Sequence, residues 1–333
     1  SLASISTANA GEMTVTGGVD MSWFSAGGNS STTGNPIGMG SNLTFKGSGE
    51  LDIGWTFDLT VAMLNQHAYS NTVVNIDMGS FGKLNLNQGD SGNGIDAYDD
   101  KMPTAWEEPW GMGLGTGIKL VSGVGPQSNI QYTLPTIAGA TLAVAWAPDM
   151  GAGNANDKGT SSGGATTGAG YDATINVNPS MGTEILSGLN MFVGAHYTEN
   201  YVDSTPSNDT YEGTGGITYA LGPIAIGGAV AGHVTGKTTT ATDVDWYKNN
   251  MYGISFNIND DLSVSYGKHE SRQGFVNPNA GETVTLDVES WQIAYTMGGA
   301  SVRYAKSDVN NAAYQTSSEY DKDARVLSVS LAF

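Results

Sequence analysis

The sequence has no cysteine, few basic residues and no long apolar run. Without cysteine there is no disulfide framework, no thiolate catalysis and no cysteine-bound zinc. Thirteen Lys and Arg against 32 Asp and Glu leave a net charge of −19. Nucleic acid is therefore excluded as a partner, because binding its phosphates needs a basic face. The most apolar stretch, residues 221–232, contains a proline and is shorter than the roughly 20 residues that a membrane-spanning helix requires.

What the sequence does contain is a period-two alternation along its whole length. In residues 13–23 the odd positions hold Met13, Val15, Val19, Met21 and Trp23, with polar or small residues between them. Such alternation predicts β-strands with one apolar and one polar face. Sixteen segments show the pattern, beginning near Met13, Asn42, Trp55, Thr72, Lys83, Ser128, Thr141, Tyr171, Leu189, Tyr211, Pro223, Lys248, Leu262, Thr285, Ser301 and Arg325.

The connections between these segments tend to alternate between short turns and long polar loops. An even number of strands of about ten residues, with short turns at one end and long loops at the other, is typical of a transmembrane barrel. A soluble β-sandwich also alternates, but the polar face here includes Asp20, Asn42, Lys46, Asp58 and Arg303. A dry core could not satisfy so many polar groups, whereas a water-filled lumen could. We therefore predict an all-β fold, a transmembrane 16-stranded antiparallel β-barrel wide enough to hold a channel.

The first ten residues, SLASISTANA, differ from the rest. Ala8-Asn9-Ala10 has the small-x-small form of a signal-peptidase site, which predicts an exported protein that begins at Gly11. The alternative is a polar, frayed N-terminus. In either case residues 11–333 are predicted to form a single barrel.

Four segments resemble the Gram-negative general diffusion porins, most closely the alphaproteobacterial branch. They are residues 42–47 (NLTFKG), 81–90 (FGKLNLNQGD), 96–110 (DAYDDKMPTAWEEPW) and 326–333 (VLSVSLAF). The resemblance implies a homotrimer in the outer membrane, in contact with outer-membrane lipid and lipopolysaccharide, with one pore per subunit. It also implies passive diffusion of small hydrophilic solutes and ions, with no catalysis and no cofactor, and a third long loop that folds into the lumen.

In this chain the third long loop is predicted to span residues 90–117. Its charged residues are six acids and a single base, which gives the loop a charge of −5: Asp90, Asp96, Asp99, Asp100, Glu107, Glu108 and Lys101. We expect these acids to make the pore cation-preferring, Glu107 and Glu108 first and Asp99 and Asp100 next. The alternative is that Lys46, Lys101 or Arg303 pairs with them and cancels their charge.

The resemblance also points to the pore wall. In enteric porins the wall facing this loop has a cluster of arginines, and by local alignment Asn42 and Gln88 occupy their places here. No arginine occurs before Arg272. We assign Asn42, Lys46, Asp58, Lys83, Gln88 and Arg303 to the wall, although a glycine bulge would turn Lys83 to the other face.

Three other functions remain as alternatives. A substrate-selective porin would line its lumen with aromatic or basic residues, but Phe192 is the only clear lumenal aromatic residue in the pattern. A structural or adhesive barrel is less favoured, because it would usually include a plug, an extra periplasmic domain or a repeat array, and the sixteen segments leave little of the chain for one. A barrel enzyme is less favoured because the four histidines His67, His196, His233 and His269 show no triad or zinc spacing. Calcium could bind clustered carboxylates, with Asp96, Asp99 and Asp100 as candidates, and Asp243 and Asp245 as a second pair.

Overall fold

A computed structural model gives the three-dimensional structure of the chain. It describes residues 13–28, 35–65, 68–89, 92–151, 167–179, 184–200, 208–238, 240–280 and 283–332. Residues 1–10, His67, Asp90 and Phe333, all of which entered the sequence predictions, lie outside these ranges.

Sixteen antiparallel strands pair in chain order, and the last pairs with the first, so the sheet is a closed barrel. The strands are β1 (Thr14–Gly28), β2 (Ile37–Glu50), β3 (Thr56–Leu64), β4 (Ala68–Asp77), β5 (Lys83–Gln88), β6 (Asn129–Thr133), β7 (Ala140–Ala147), β8 (Gly170–Val177), β9 (Leu189–Thr198), β10 (Thr210–Leu221), β11 (Ile224–Val234), β12 (Val244–Asn257), β13 (Leu262–Phe275), β14 (Thr285–Met297), β15 (Ala300–Asn310) and β16 (Lys322–Ala332). One short α-helix, Glu184–Ser187, precedes β9. The predicted fold and strand number are confirmed.

The alternation places apolar side chains on the outside of the barrel and small or polar ones inside. On β14, Trp291 is 61% exposed, whereas its neighbour Ser290 is fully buried. The outward face includes Val230, Tyr252 and Trp291, each more than half exposed. A barrel that exposes rows of apolar residues on its outer wall is suited to a lipid environment.

The two ends of the barrel differ in their connections, as predicted. Two-residue turns join β10 to β11 and β14 to β15, and Gly222 and Gly298 have positive φ angles there, a conformation in which glycine avoids a steric penalty. At the other end, the connection between β5 and β6 is the longest and runs over residues 89–128. It extends well beyond the predicted end at Gly117, because β6 begins only at Asn129.

Several strands are longer than the pattern indicated. β2 begins at Ile37 rather than near Asn42, and β12 begins at Val244 rather than near Lys248. The shortest strands are β5 and β6, which have six and five residues. The longest are β1, with 15 residues, and β2, β12 and β13, with 14 each.

The buried apolar residues do not form a central core but lie between the wall and residues 89–128. One cluster combines Ile95, Met102 and Val121 with Phe192, Ala229, Ala231 and Met251 of the wall. A second joins Leu114 to side chains of β14–β16 and to Tyr314. Within the part of the chain that the structure describes, no helix has the length and apolar character needed to cross a bilayer.

Candidate pore constriction

The connection 89–128 is called the inner loop below. Its described residues run inside the barrel and are held near their start by amide side chains. Asn93 Nδ2 donates to Oδ1 of Asn85 at 2.8 Å and of Asn129 at 2.6 Å. The next residue, Gly94, donates its backbone N–H to Gln131 Oε1 at 2.8 Å. Asn85, Asn129 and Gln131 share the lumenal face of β5 and β6, which is why the loop turns inward as soon as β5 ends.

Two carboxylates on the nearby strands β8 and β10 accept hydrogen bonds from backbone amides at the two ends of the inner loop. Asp172 on β8 accepts from the N–H groups of Ile95 at 2.8 Å and Val124 at 3.3 Å. Glu212 on β10 accepts from Ser122 at 2.7 Å and Gly123 at 3.2 Å. Hydrogen bonds from backbone amides to ionised groups are stronger than neutral ones. These two acids therefore fix where the loop enters and leaves the lumen.

The middle of the inner loop lies on a row of glycines that pair across three neighbouring strands. Gly227 of β11 is opposite Gly253 of β12, and Gly253 is opposite Gly267 of β13. A Cβ atom added to Gly253 would lie 2.7 Å from the carbonyl oxygen of Pro103, and one added to Gly267 would lie 2.7 Å from Pro109 Cγ. The absence of side chains at this row lets the loop pack directly on the wall and so leaves more of the lumen open.

Gln292 of β14 binds the tip of the loop through several hydrogen bonds. Its Oε1 lies 2.8 Å from the hydroxyl of Thr104 and accepts the N–H groups of Trp106 at 3.1 Å and Glu107 at 3.0 Å. Its Nε2 donates to the carbonyl oxygen of Glu107. This clamp places residues 104–107 at a defined position in the lumen.

Arg303 of β15 connects the loop tip to the wall. Its guanidinium lies 5.0 Å from the ring centroid of Trp106, a cation–π distance, and forms an ion pair with Asp20 of β1. Ser328 Oγ lies 2.9 Å from both carboxylate oxygens of Asp20 and 3.1 Å from Arg303 Nη2. The lumenal position predicted for Arg303 is therefore present, but its ion-pair partner is a wall acid rather than an acid of the loop.

The acids of the inner loop have different surroundings. Asp100 is exposed and pairs with Lys101 at 3.1 Å. Glu107 is exposed, with no ion pair among the described residues. Glu108 is 6% exposed and its Oε1 has no hydrogen-bond partner, while Asp96 is buried and accepts the N–H of Gly92 at 2.9 Å. The four acids thus do not present equal charge to the lumen.

Two of these carboxyls have raised pKa values. Burial, together with the negative charges of Asp100, Glu107 and Asp99, raises the pKa of Glu108 to about 8. Burial and the charges of Asp96 and Asp100 raise the pKa of Asp99 to about 7, although Lys101 opposes the shift. Near neutral pH both groups are therefore partly protonated.

The predicted wall residues fall on both faces of the sheet. Asn42, Lys46 and Asp58 are exposed on the lumenal face of β2 and β3, so this side of the lumen is open to water. Asp58 accepts a hydrogen bond from Asn75 at 2.9 Å. Lys83 also lies on the lumenal face, next to the short turn, and pairs with Asp77 at 3.3 Å.

Gln88 is not on the lumenal wall. It has the outward phase of Leu86, and the Tyr69 hydroxyl donates to its Oε1 at 3.1 Å. The lumenal position at this level belongs to Asn87. The local alignment was shifted by one residue, and a one-residue shift in a strand exchanges the two faces.

The residues that anchor the loop were not identified from the sequence as site residues. Alternation places Asp172, Glu212 and Gln292 in the lumenal phase, but no local signal distinguishes them from other polar lumenal residues. Phe24 and Tyr247 are further lumenal aromatics, both in contact with the second apolar cluster, and Phe192 stacks on Tyr98 of the loop at 4.8 Å.

His196 is the middle member of three hydrogen-bonded side chains, an arrangement that the spacing in the sequence does not indicate. His196 Nδ1 lies 2.5 Å from Asp172 and its Nε2 lies 2.6 Å from the hydroxyl of Thr198. This is the order of groups in a hydrolytic triad, but each of the three side chains is 4% exposed. Asp172 also accepts hydrogen bonds from backbone amides of the inner loop. These three side chains therefore support the loop, and their burial keeps a substrate from reaching them.

The calcium candidates Asp96, Asp99 and Asp100 are not grouped as a metal site. Among the described residues no group of three or more His, Asp or Glu side chains could hold a metal ion. Calcium binding at these acids stays a prediction.

A closed barrel of 16 strands with a long loop folded into its lumen defines a channel-forming barrel of the bacterial outer membrane. The family model described as Gram-negative porin matches residues 1–296, most of the chain. The chain therefore belongs to the Gram-negative porin family and is an outer-membrane porin.

Solved structures share this fold at low identity. A Salmonella typhi OmpF complex with daunomycin has a TM-score of 0.66 at 12% identity, covering 97% of this chain and 98% of that one. The anion-selective porin from Comamonas acidovorans has a TM-score of 0.64 at 12% identity, and the match covers 97% of this chain and 99% of that one. OmpT of Vibrio cholerae has a TM-score of 0.65 at 11% identity, and the match covers 99% of this chain and 100% of that one. No curated protein sequence matches the chain.

Proposed function

We propose that this porin is a general diffusion channel for small hydrophilic solutes and ions, with a preference for cations. The observation that supports the preference is the charge distribution at the inner loop. Glu107 is exposed at the loop tip without a cation, while Arg303 is occupied by Asp20 and Lys83 by Asp77. Diffusion through such a lumen needs no covalent chemistry, and we infer that the chain is not an enzyme and uses no cofactor.

Few charges are needed for the preference. A tenfold preference for cations corresponds to about 1.4 kcal/mol. Two unit charges about 4 Å apart interact by roughly 1 kcal/mol in bulk water and more where the dielectric is lower. Screening acts over about 8 Å at physiological salt, so distant charges have little effect inside the pore. The exposed acids of the inner loop therefore decide the preference, and most of the net charge of −19 does not.

The substitution Glu107→Gln tests the assignment. We expect the wild type to favour K⁺ in a reversal-potential measurement across a KCl gradient, and the variant to lose a substantial part of that preference. Sugar permeability should remain nearly unchanged, because the two side chains have almost the same size. The matched control is Glu319→Gln, which removes an exposed acid from the loop between β15 and β16.

The control variant should keep the reversal potential of the wild type. An anion-selective wild type, or a Glu107→Gln variant with an unaltered reversal potential, would contradict the cation preference. Absence of open-channel steps in planar bilayers would instead contradict the diffusion function itself.

We also propose that the protein is a homotrimer, with β1–β6 facing the neighbouring subunits. A transmembrane strand in contact with lipid has about 9–11 residues, but β5 and β6 have only six and five. A wall this low is covered if another subunit, rather than lipid, lies against it. Val15, Met21 and Trp23 on the outward face of β1, each more than 40% exposed, supply apolar contact area beside it.

The oligomer is tested by native mass spectrometry from a mild detergent. We expect a species with the mass of three chains, and a substitution such as Met21→Glu in the outward row of β1 should convert it to monomers. A wild type that is monomeric at all detergent concentrations would rule out the trimer.

We also propose that the protein is exported to the outer membrane and that residues 1–10 are removed with the signal peptide.

A further inference from the structure

Two basic side chains are directly opposed on the outer wall of the barrel. Lys248 of β12 pairs in register with Arg272 of β13. Directly opposed residues of an antiparallel pair have Cβ atoms about 4.5–5.5 Å apart, and like charges there destabilise the sheet. Both side chains are exposed, and neither has a hydrogen bond or ion pair within the described parts of the chain. No acid among the described residues pairs with either side chain to offset this repulsion.

The strand phase places the pair on the outside. On β12, Asn249 donates to the carbonyl oxygen of Lys119 in the inner loop and Met251 is buried beneath the loop, so the odd positions face the lumen. Lys248 and the other even positions face outward. On the same face of β12, Trp246 precedes Lys248 and packs its indole against Gly274, and Tyr252 follows Lys248 and is 51% exposed. Tryptophan and tyrosine on the outside of a barrel mark the membrane interface, so the pair lies at headgroup level.

The outward lysines of the neighbouring strands β13 and β15 are paired with acids. Lys268 pairs with Glu270 at 3.0 Å and Asp287 at 2.9 Å. Lys306, although opposite Arg325, pairs with Asp308 at 3.1 Å. Glu270 is the acid nearest to Arg272 along β13, and it is occupied by Lys268. Lys248 and Arg272 therefore form an uncompensated positive site facing the headgroup layer of the bilayer.

From this charge complementarity we propose that Lys248 and Arg272 bind the phosphate of an anionic membrane lipid. A guanidinium can hold two phosphate oxygens at once while the lysine adds a point charge, and a shared anion removes the repulsion between the two cations. Gly232, opposite Lys248, has no side chain, and a Cβ atom there would meet only the carbonyl oxygen of Tyr247, at 3.7 Å, so the headgroup has room beside the pair. The proposal rests on the proposed function only through the membrane location of the barrel.

The experiment measures lipid retention by native mass spectrometry on the full-length protein in detergent. The probes are dioleoyl phosphatidic acid, which has a phosphate monoester, and dioleoyl phosphatidylcholine, whose phosphate is neutralised by choline. We expect the wild type to retain phosphatidic acid preferentially and the double variant K248Q/R272Q to lose this preference about thirtyfold, the factor that two cations at a membrane surface provide. K306Q is the matched control and should retain the lipid as the wild type does.

Three results would overturn the site. The first is retention of phosphatidic acid by K248Q/R272Q equal to that of the wild type. The second is a loss of phosphatidic acid in K306Q as large as that in the double variant. The third is displacement of the lipid by inorganic phosphate at matched concentration, which would indicate a site for free anions. Single-channel conductance is recorded for each variant. Because both side chains point away from the lumen, the double variant should conduct like the wild type, so a folded barrel is demonstrated and a failure of the lipid site is distinguished from a failure of the channel.

Discussion

Replacing Gln292 by methionine is expected to release the tip of the inner loop and make the open channel noisy and more permeable to large sugars. Methionine fills nearly the same volume, so the wall remains packed. It removes the acceptor for the N–H groups of Trp106 and Glu107 and the donor to the Glu107 carbonyl. Leaving such groups unpaired costs about 1–3 kcal/mol each, and a loss of about 3 kcal/mol lowers the equilibrium constant between the docked and the released tip roughly a hundredfold.

The matched control for this prediction is Gln273→Met on β13. Gln273 is also a buried lumenal glutamine, 8% exposed, and no hydrogen bond joins it to the described part of the inner loop. Planar-bilayer recordings and sugar swelling assays on both variants make the comparison. Wild-type noise and sugar exclusion in Gln292→Met would show that the glycine row and the contact of Ala105 with Ser265 suffice to hold the tip.

The alternation of the sequence predicted the barrel because it is a property of each strand separately. The side-chain period is two, so a single strand shows which of its faces is apolar. That was enough to place Arg303, Asp20 and Asn42 on the lumenal wall, and the alternating lengths of the connections gave the two ends of the barrel. The error at Gln88 has the same origin, because alternation determines the face only when the position within the strand is correct to one residue.

The geometry of the constriction could not be predicted in this way. Asp172 and Ile95 are 77 positions apart and Gln292 and Glu107 are 185 apart, so no local pattern links them. Glu107 and Glu108 are the same residue type at adjacent positions, yet the side chain of Glu107 is exposed and that of Glu108 is buried. Their different contributions to the pore depend on how the loop packs on the glycine row of β11–β13, which only the assembled barrel defines.

Raising the pH from about 6 to about 9 is expected to increase the cation preference of the channel, because one half-buried and one buried carboxyl, Asp99 and Glu108, ionise in that interval. The pKa of Asp99 is about 7 and that of Glu108 about 8, and burial is the largest cause of both shifts. A raised pKa in an acid means that the neutral form persists to higher pH, so negative charge is added as the pH rises. Two added charges at the constriction correspond to an increase of about tenfold.

Single substitutions separate the two steps. Asp99→Asn should remove the lower part of the pH dependence and Glu108→Gln the upper part, whereas Glu107→Gln should lower the preference at every pH and leave its rise intact. The measurement is the reversal potential across a KCl gradient at a series of pH values. A reversal potential that is flat over this interval in the wild type would mean that neither carboxyl affects the ions in the pore. A rise that persists in the Asp99→Asn, Glu108→Gln double variant would assign it to other groups.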